Sequence, residues 1–346
     1  MSDQQEPLLV TKHLKKYFPT QSTGFLRRTT GFVKAVDDVN ITVQPGETLG
    51  VVGESGSGKT TLGRCITKLY EATSGEILLN TGDHTYSVTS IKGEDLRGFR
   101  RKAQTIFQDP YSSLNPRMNI LETVGEPLLV NGLARGRELE DRVTEMILRV
   151  GLRVEHLRRY PHSFSGGQRQ RIGIARALVV NPQLVVADEP VSALDVSIQA
   201  QILNLLQDLQ DQYQLTYIFI SHAMSVVRYV SDRIAVMYAG KLVEIGEKSE
   251  LLTNPKHPYT ELLLAAVPRT SQRKHVKREI TPGEPPDLAN LPKGCVFQPR
   301  CRYAKEICAN ETPPLRLVGS RGTYVSCHLA ETISLEGISG AGNSAS

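Results

Sequence analysis

Short apolar runs along the chain end at polar residues, and two of these runs predict the fold. The first lies in ETLGVVGESGSGKTTLGRCI (47–66), where an apolar run is followed by a glycine-rich turn and then by a helical pattern. The second, LVVADEP (184–190), ends at Asp188 and Glu189. Such runs are typical of buried strands in a parallel α/β sheet. Because the carboxyl ends of these strands gather around the ligand, both runs are predicted to end at one site.

Other patterns place a helix, a hairpin and a loop. GRELEDRVTEMILRVGL (136–152) has apolar residues at helical spacing and predicts a helix. Its apolar positions are Val143, Met146, Ile147 and Val150. RIAVMYAGKLVEIGE (233–247) indicates two strands around an Ala-Gly turn. DPYSSLNPRM (109–118) is rich in turn formers and predicts an exposed loop, and no heptad pattern or internal repeat is present.

The composition is that of an ordinary globular chain. Of 346 residues, 40% are hydrophobic and 22% are charged, and the formal net charge is +5. This charge permits contact with anionic ligands, although a solvated surface explains it equally well. No run approaches the roughly 18 apolar residues of a membrane span, and the N-terminus MSDQQEPLLV is acidic where a signal peptide would be basic. We therefore expect a cytoplasmic chain whose thiols stay reduced.

The glycine-rich turn has the spacing Gly53-x4-Gly58-Lys59-Thr60 of a P-loop. Glycines let backbone N–H groups wrap phosphates because no Cβ intervenes, and the next helix points its positive end at the same anion. Lys59 is expected to reach the β- and γ-phosphates, and Thr60 to ligate Mg²⁺. A flexible surface loop is the alternative, which the strand–loop–helix context disfavours. The residues predicted to bind nucleotide here are Gly53, Ser55, Gly56, Gly58, Lys59, Thr60 and Thr61.

Asp188 and Glu189 follow the second apolar strand and complete this edge of the sheet. Asp188 is well placed to hold Mg²⁺, and Glu189 to orient and deprotonate an attacking water. The alternative for a carboxylate pair at a strand end is a cap for the next helix.

A second anion site is predicted in SFSGGQRQRIGIARAL (163–178). Ser165 is a good N-cap, and Gly166 and Gly167 leave the first helical turn bare. Because one P-loop already holds the phosphates from one side, this second site indicates a nucleotide that belongs to a partner subunit.

With these segments in view, the chain resembles the ATP-binding cassette (ABC) family. FSGGQ (164–168) resembles the family's signature motif, with Phe164 where leucine is usual, and SALD (192–195) resembles its D-loop. ISHAMSVV places His222 at the position of the switch histidine, with Ala223 where Asp is common. The remaining matches are IFQDPYSSLNP, with Gln108 at the Q-loop position, and KKYFP, where Tyr17 (alternatively Phe18) would stack on adenine.

The resemblance implies an α/β fold, with a RecA-like core, an antiparallel β subdomain and an α-helical subdomain, and an ATPase of the transport-coupled type. Two such domains would pack head to tail around two ATP and two Mg²⁺. The catalytic residues implied are Glu189, His222 and Gln108, with Mg²⁺ held by Thr60, Gln108 and Asp188. Ser165, Gly166, Gly167 and Gln168 would contact the partner's ATP.

Two later segments resemble one subgroup, the ATP-binding subunits of dipeptide, oligopeptide and nickel importers. They are NPKHPYTELLLAAVP (254–268) and PGEPPDLANLPKGCVFQPRC (282–301). FQDPYSSLNPRM resembles the F-type subunit of the usual pair. This implies a peripheral subunit on the cytoplasmic face of the inner membrane. Its partners would be a second ATPase subunit, two integral-membrane permeases and an extracytoplasmic substrate-binding protein, with no nucleic acid.

Other functions stay open at this point. A soluble cassette ATPase acting on nucleic acid is the alternative from another class, although the chain lacks the long insertions of the DNA-linked members. Nickel or a sugar is an alternative cargo. The domains predicted are an ABC domain over 1–268, with its helical subdomain at about 110–180, an extension over 269–334 and a disordered tail over 335–346.

Four cysteines lie in the extension, with the spacing Cys295-x5-Cys301-x6-Cys308-x18-Cys327. Short zinc knuckles are absent from this spacing, whereas iron–sulfur clusters tolerate wider gaps. Members of the subgroup carry a matching cysteine set, which implies a [4Fe–4S] cluster. Two disulfides, free thiols and zinc are the alternatives, with His328 as a possible substitute ligand. A redox-sensing role through these cysteines is compatible with transport.

Overall fold

A computed structural model describes residues 6–21, 29–267, 287–319 and 322–338 of the chain. The described residues form two β-sheets with helices packed against them. The predicted α/β fold class is confirmed. The helix, hairpin and loop predicted from the sequence pattern are also present, at Gly136–Arg149, at 233–247 and at 109–118.

One sheet is antiparallel and has the strand order β2-β1-β4-β5. Leu9 of its inner strand pairs with Val43 on one side and with Leu79 on the other, and all three side chains are buried. This sheet therefore packs one apolar face on the core. Its strands are β1 (Leu9–Gln21), β2 (Thr29–Val43), β4 (Ser74–Asn80) and β5 (Thr85–Ser87).

The second sheet has the order β11-β12-β10-β9-β3-β8-β7-β6, and β9-β3-β8-β7-β6 run parallel. Both of its faces are covered, because Leu184 and Val186 join one apolar cluster and Val185 and Ala187 join another. This explains why its central strands read as unbroken apolar runs. Its strands are β3 (Thr48–Val52), β6 (Ala103–Ile106), β7 (Leu184–Asp188), β8 (Thr216–Ser221), β9 (Arg233–Tyr238), β10 (Lys241–Glu247), β11 (Arg316–Val318) and β12 (Thr323–Val325).

In chain order, the described helices alternate with strands of the main sheet from β6 to β9, except that three consecutive α-helices lie between β6 and β7. They are α1 (Lys59–Ile66), α2 (Gly93–Lys102), α3 (Ile120–Val130), α4 (Gly136–Arg149), α5 (Gly166–Leu178), α6 (Val196–Tyr213), α7 (Met224–Val230), α8 (Lys248–Thr253), α9 (Pro258–Ala265) and α10 (Glu306–Asn310). None of the described helices combines the length and the apolar character that crossing a membrane requires.

Helices α3, α4 and α5 pack together within the segment predicted as a helical subdomain. The apolar positions predicted on α4 are buried in one cluster with residues of α3 and α5. Gly125 lets α3 approach α4 closely, since a Cβ there would lie 2.8 Å from a methyl group of Leu139. The apolar stripe of α4 thus faces its neighbours, as its spacing predicts.

The cysteine-bearing extension is built onto the main sheet. Strand β12 pairs with β10 through Val325 and Glu244, and Val296 and Phe297 join an apolar cluster that includes Tyr259. The extension thus shares the core around β9 and α9, and it also has a small apolar cluster of its own, formed by Val318, Val325, Cys327, Leu329 and Ala330. The predicted boundary between 268 and 269 lies outside the described residues.

The predicted tail begins too early at residue 335. Leu335 and Ile338 are buried, and the backbone N–H of Ile338 donates to the carbonyl of Leu252 at 2.7 Å. Residues 335–338 therefore pack against α8, and the disorder predicted for them is wrong. Residues 339–346 lie outside the described part of the chain.

The start of α9 is held by a buried carboxylate of β10. Glu244 accepts hydrogen bonds from the backbone N–H groups of Lys256 and His257, at 2.8 and 3.0 Å, and from the Thr260 hydroxyl at 2.5 Å. Burial raises the pKa of Glu244 to about 7, although these three donors favour its charged form. Next to it, the buried Nδ1 of His257 accepts from the backbone N–H of Tyr259 at 3.1 Å.

We predict that His257 makes stability depend on pH. Burial lowers the pKa of His257 to about 3 in the folded chain, whereas an unfolded histidine titrates near about 6.5. Between these values the unfolded chain binds a proton that the folded chain excludes, so the contribution of His257 to stability falls as the pH falls from about 6.5 towards 3. The raised pKa of Glu244 acts in the opposite direction, but it does so in the parent and in a His257 variant alike. His257→Asn keeps a side-chain acceptor, and it should reduce the pH slope of the unfolding free energy by about 1.4 kcal/mol per pH unit.

Urea unfolding of the full chain between pH 7 and 4 measures this slope. The exposed His162, changed to Asn in the same way, serves as the control and should leave the slope near that of the parent. An unchanged slope in the His257→Asn variant would contradict the prediction.

Candidate functional site

The P-loop connects β3 to α1, and its glycines are required by close backbone contacts. A Cβ on Gly53 would lie 2.2 Å from the carbonyl oxygen of Met237. Gly58 has φ +102°, and a Cβ there would lie 2.0 Å from the carbonyl oxygen of Ala35. The loop is thus seated directly on the backbones of β9 and β2.

Lys59, the first residue of α1, folds its side chain back into the loop. Its Nζ donates to the carbonyl oxygens of Gly53 and Glu54, at 2.7 and 2.8 Å, and to the Ser57 hydroxyl at 3.2 Å. Burial lowers the pKa of Lys59, and the carboxylates of Glu189, Asp188 and Glu54 act against this shift. A cation therefore lies at the centre of a loop whose Ser55 and Gly56 are exposed.

Asp188 joins the end of β7 to the start of α1. Its Oδ1 accepts a hydrogen bond from the Thr60 hydroxyl at 2.9 Å. Burial raises the pKa of Asp188, whereas the Thr60 hydrogen bond and the nearby Arg64 lower it. The structure thus places two oxygen-bearing side chains side by side, and both were predicted to bind Mg²⁺.

Three residues predicted to be catalytic meet at Glu189. The Gln108 amide donates to Glu189 Oε2 at 2.9 Å, and His222 Nδ1 lies 3.2 Å from Glu189 Oε1. These residues follow β6, β7 and β8, which are adjacent in the sheet. Glu189 has φ +47°, a left-handed backbone that is strained for a residue with a Cβ. Only 13% of the Glu189 side chain is exposed, so the carboxylate is partly shielded from water.

The signature segment begins α5 at a distance from this edge. Ser165 is the N-cap, and it forms a capping box with Gln168 in which each side chain accepts from the other's backbone N–H, at 3.3 and 3.1 Å. A Cβ on Gly167 would lie 2.6 Å from a methyl carbon of Ile198. Within the described chain, the Ser165 and Gln168 side chains each accept from the other residue's backbone N–H and form no hydrogen bond to the P-loop. Gly166 lies beside Leu194 of the predicted D-loop.

Tyr17 lies beside the strand that supports the P-loop. Its hydroxyl donates to Asp37 at 2.5 Å, and Lys34 Nζ lies 5.7 Å from the centre of its ring. Phe18 instead packs edge-on against Tyr70, with ring centres 5.7 Å apart. The ring of Phe18 is therefore used in packing, and adenine stacking by Tyr17 stays a prediction.

The four cysteines of the extension are close enough to affect one another. All are free thiols; Cys308 and Cys327 are buried and the other two are half-buried. Burial raises the pKa of Cys301 to about 11 and that of Cys327 to about 12, and charge on the neighbouring thiols adds to both shifts. Among the described residues, no three His, Cys, Asp or Glu side chains are arranged as ligands of a metal ion.

Residues outside the predicted site also hold the P-loop. The Arg300 guanidinium donates to both carboxylate oxygens of Glu54, at 2.7 and 2.9 Å, and the backbone N–H of Glu54 donates to the Tyr259 hydroxyl at 2.7 Å. Arg300 is 246 positions from Glu54 along the chain. The sequence carries no spacing signal for such a pair, although both partners of Glu54 lie in segments that the subgroup resemblance had singled out.

Comparisons with known proteins agree with this geometry. Residues 36–192 match the family model described as ABC transporter, and residues 243–308 match the model described as oligopeptide/dipeptide transporter, C-terminal region. The oligopeptide transport ATP-binding protein AppF of Bacillus subtilis is 51% identical over 328 residues, covering 94% of this chain and 98% of the relative. The dipeptide transport ATP-binding protein DppF of Haemophilus influenzae is 47% identical, covering 93% and 96%.

A solved structure extends the comparison to the fold. A dimeric ATP-binding cassette in a post-hydrolysis state, bound to ADP and Pi, superposes with a TM-score of 0.60 at 29% sequence identity. The match covers 69% of this chain and 98% of the other. The part of this chain that the match does not cover is long enough to include the C-terminal extension.

Proposed function

This chain belongs to the ABC transporter family and is an ABC-type ATPase, and from that premise we propose that it is the F-type ATPase subunit of a di- or oligopeptide importer. One observation carries the proposal. The hydrolytic edge, with Glu189 contacted by Gln108 and His222, occurs in one chain with a C-terminal region that matches the peptide-transporter model. The named relatives are oligopeptide and dipeptide transport proteins, which supports a peptide cargo over nickel or a sugar.

In this proposal the P-loop binds the phosphates of ATP, and residues at the strand ends bind its Mg²⁺. Lys59 and backbone N–H groups of the loop bind the phosphates, and Tyr17 stacks on the adenine. Thr60 and Asp188 present hard oxygen donors next to each other, which fits Mg²⁺, and the Gln108 amide oxygen is the third donor proposed. Bound Mg²⁺ supplies charge neutralisation for the leaving phosphate. The remaining nucleotide contacts are those of Gly53, Ser55, Gly56, Gly58 and Thr61.

Glu189 orients and deprotonates the attacking water. Its strained backbone directs the carboxylate between Gln108 and His222, and its low exposure limits competing solvent. His222 holds the carboxylate on one side and is placed to contact the transferred phosphate. The contacts of Glu189 with Gln108 and His222 support these proposed roles.

The signature segment serves the nucleotide of a second subunit. The first-turn N–H groups of α5 lie at Gly166 and Gly167, where no side chain shields them, and a helix N-terminus attracts anions. Ser165 and Gln168 satisfy each other's backbone here and remain apart from this chain's P-loop. A head-to-tail dimer would bring this face to the partner's ATP, and the partner proposed is a second, different ATPase subunit.

Glu189→Gln tests the hydrolytic assignment. The amide keeps the shape of the side chain but cannot take a proton, so turnover should fall at least about 100-fold while ATP binding is retained. ATPase assays and equilibrium binding of ATP to the full chain measure the two properties. Glu155→Gln, the same change at an exposed position, is the control. Turnover within twofold of the parent would remove Glu189 as general base.

Affinity purification from detergent-solubilised membranes tests transport. Since the family role is peripheral, the tagged chain should recover two integral-membrane permease subunits and a second ATPase subunit, at the cytoplasmic face of the membrane. The substrate-binding protein is expected with the assembled importer. Recovery of no membrane subunit, together with turnover stimulated by DNA, would favour the soluble nucleic-acid ATPase instead.

Cys295, Cys301, Cys308 and Cys327 are proposed to hold a [4Fe–4S] cluster. Their thiols are unpaired. Burial raises the pKa of Cys327, and charge on the other three thiols raises it further, so all four lie near enough to interact, which supports a ligand that they share. Iron–sulfur clusters accept four thiolates at wide spacing along the chain, whereas structural zinc sites usually contain short knuckles, which this spacing lacks.

Metal analysis of protein prepared without oxygen tests the cluster. About four irons per chain and visible absorption are expected. Cys308→Ser should lose most of both, whereas Cys65→Ser, at a buried cysteine of α1, should keep them. One zinc per chain, or neither metal, would overturn the cluster proposal.

A further inference from the structure

We propose that Arg300 and Tyr259 are positioning residues that hold Glu54, and through it the P-loop, in the conformation that accepts ATP. The C-terminal extension would thereby set the affinity of the chain for nucleotide. The inference rests on the proposed binding of ATP phosphates by the P-loop. It assigns to the extension a part in the ATPase site itself, separate from any metal that the cysteines hold.

The contact between the extension and the loop is a two-point hydrogen-bonded ion pair. Arg300 lies between Cys295 and Cys301 and places both terminal nitrogens on the Glu54 carboxylate, at 2.7 and 2.9 Å. Only 11% of the Arg300 side chain is exposed, so this pair is shielded from solvent more than a surface pair. A bidentate arginine–carboxylate pair fixes orientation as well as distance.

Glu54 is held at its backbone as well as at its side chain. Its N–H donates to the Tyr259 hydroxyl at 2.7 Å, and its carbonyl oxygen accepts from Lys59 Nζ at 2.8 Å. The lysine contact is the one that ATP changes, because Lys59 is proposed to turn to the phosphates. Tyr259 and Arg300 then remain, together with the Ser57 N–H, which donates to the Glu54 carbonyl oxygen at 3.2 Å. Of these, Tyr259 and Arg300 are the contacts to Glu54 that come from outside the loop.

Arg300 and Tyr259 are themselves fixed by an aromatic cluster. The ring centre of Tyr259 lies 4.6 Å from that of Tyr238 and 5.4 Å from that of Phe297, and Tyr259 is fully buried. The Arg300 guanidinium lies 5.8 Å from the ring centre of Tyr238 and 5.9 Å from that of Phe297. Since Phe297 also belongs to the extension, α9, β9 and the extension meet directly beneath the loop.

Charge gives a second reason for the pair. Glu54 lies within the segment proposed to bind the phosphates of ATP, between Gly53 and Ser55, and an unpaired carboxylate there would repel them. Arg300 neutralises this carboxylate without occupying the phosphate site. Removing Arg300 should therefore weaken ATP binding more than it slows the chemical step.

The test is ATP binding to the full chain in five variants. Arg300→Met keeps the apolar stem but leaves Glu54 unpaired, and it should raise the Kd for ATP about tenfold. Arg302→Met is the matched control, because Arg302 pairs with Glu261 and not with the P-loop. Glu54→Gln and the double variant Glu54→Gln/Arg300→Met then show whether Arg300 acts through Glu54.

We expect the effects of Arg300→Met and Glu54→Gln on ATP affinity to be non-additive. The double variant should bind ATP within about twofold of Glu54→Gln alone, because no unpaired carboxylate remains. Steady-state kinetics of Arg300→Met should show a raised KM for ATP with kcat nearly unchanged. Tyr259→Phe removes only the acceptor for the Glu54 N–H and should raise the Kd several-fold, which keeps the test decisive if Arg300→Met folds poorly.

Two results would overturn the proposal. One is wild-type ATP affinity in both Arg300→Met and Tyr259→Phe. The other is a double variant whose loss equals the sum of the two single losses, since Arg300 would then act independently of Glu54. Neither result would affect the assignment of the chain as an ATPase, which wild-type hydrolysis and the Glu189→Gln variant test separately.

Discussion

Parallel pairing of β3, β8, β7 and β6 is the constraint on which the site depends. These neighbouring strands run in one direction, so their carboxyl ends lie along a single edge of the sheet. The P-loop, His222, Glu189 and Gln108 follow these four strands in that spatial order. Helices on both faces bury the strands and fix the register, and the loops that follow inherit their positions from it.

Three features that each lower the stability of the folded chain lie close together at that edge of the sheet. Lys59 is a buried cation, Asp188 is a buried carboxylate and Glu189 has a strained backbone. Each feature alone costs stability, and the surrounding strands and hydrogen bonds hold all three in place. A ligand that carries phosphate charge and a divalent cation is what such an arrangement fits, which agrees with the family to which the chain belongs.

The C-terminal extension packs directly against the domain that carries this site. Its strand β12 adds to the main sheet, Phe297 enters the core and Arg300 contacts the P-loop. An extension that shares core and sheet with the nucleotide-binding domain cannot shift without disturbing its neighbours, because packed interiors transmit displacement. The cysteines therefore lie on a segment that is packed directly against the ATP site.

The sequence by itself determined the elements and the chemistry of the predicted site. Apolar runs predicted β3 and β7, helical spacing predicted α4, and the Ser165 cap with its two glycines predicted where α5 begins, since these signals are local. Only the tertiary structure decided what distant segments do to one another. Residues 335–338 pack against α8, although the sequence predicted them as part of a disordered tail. Arg300 contacts Glu54, although 246 positions separate the two residues along the chain. Local patterns report which residues tend to be buried or to turn the chain, but a contact between residues far apart exists only once the sheet has brought them together.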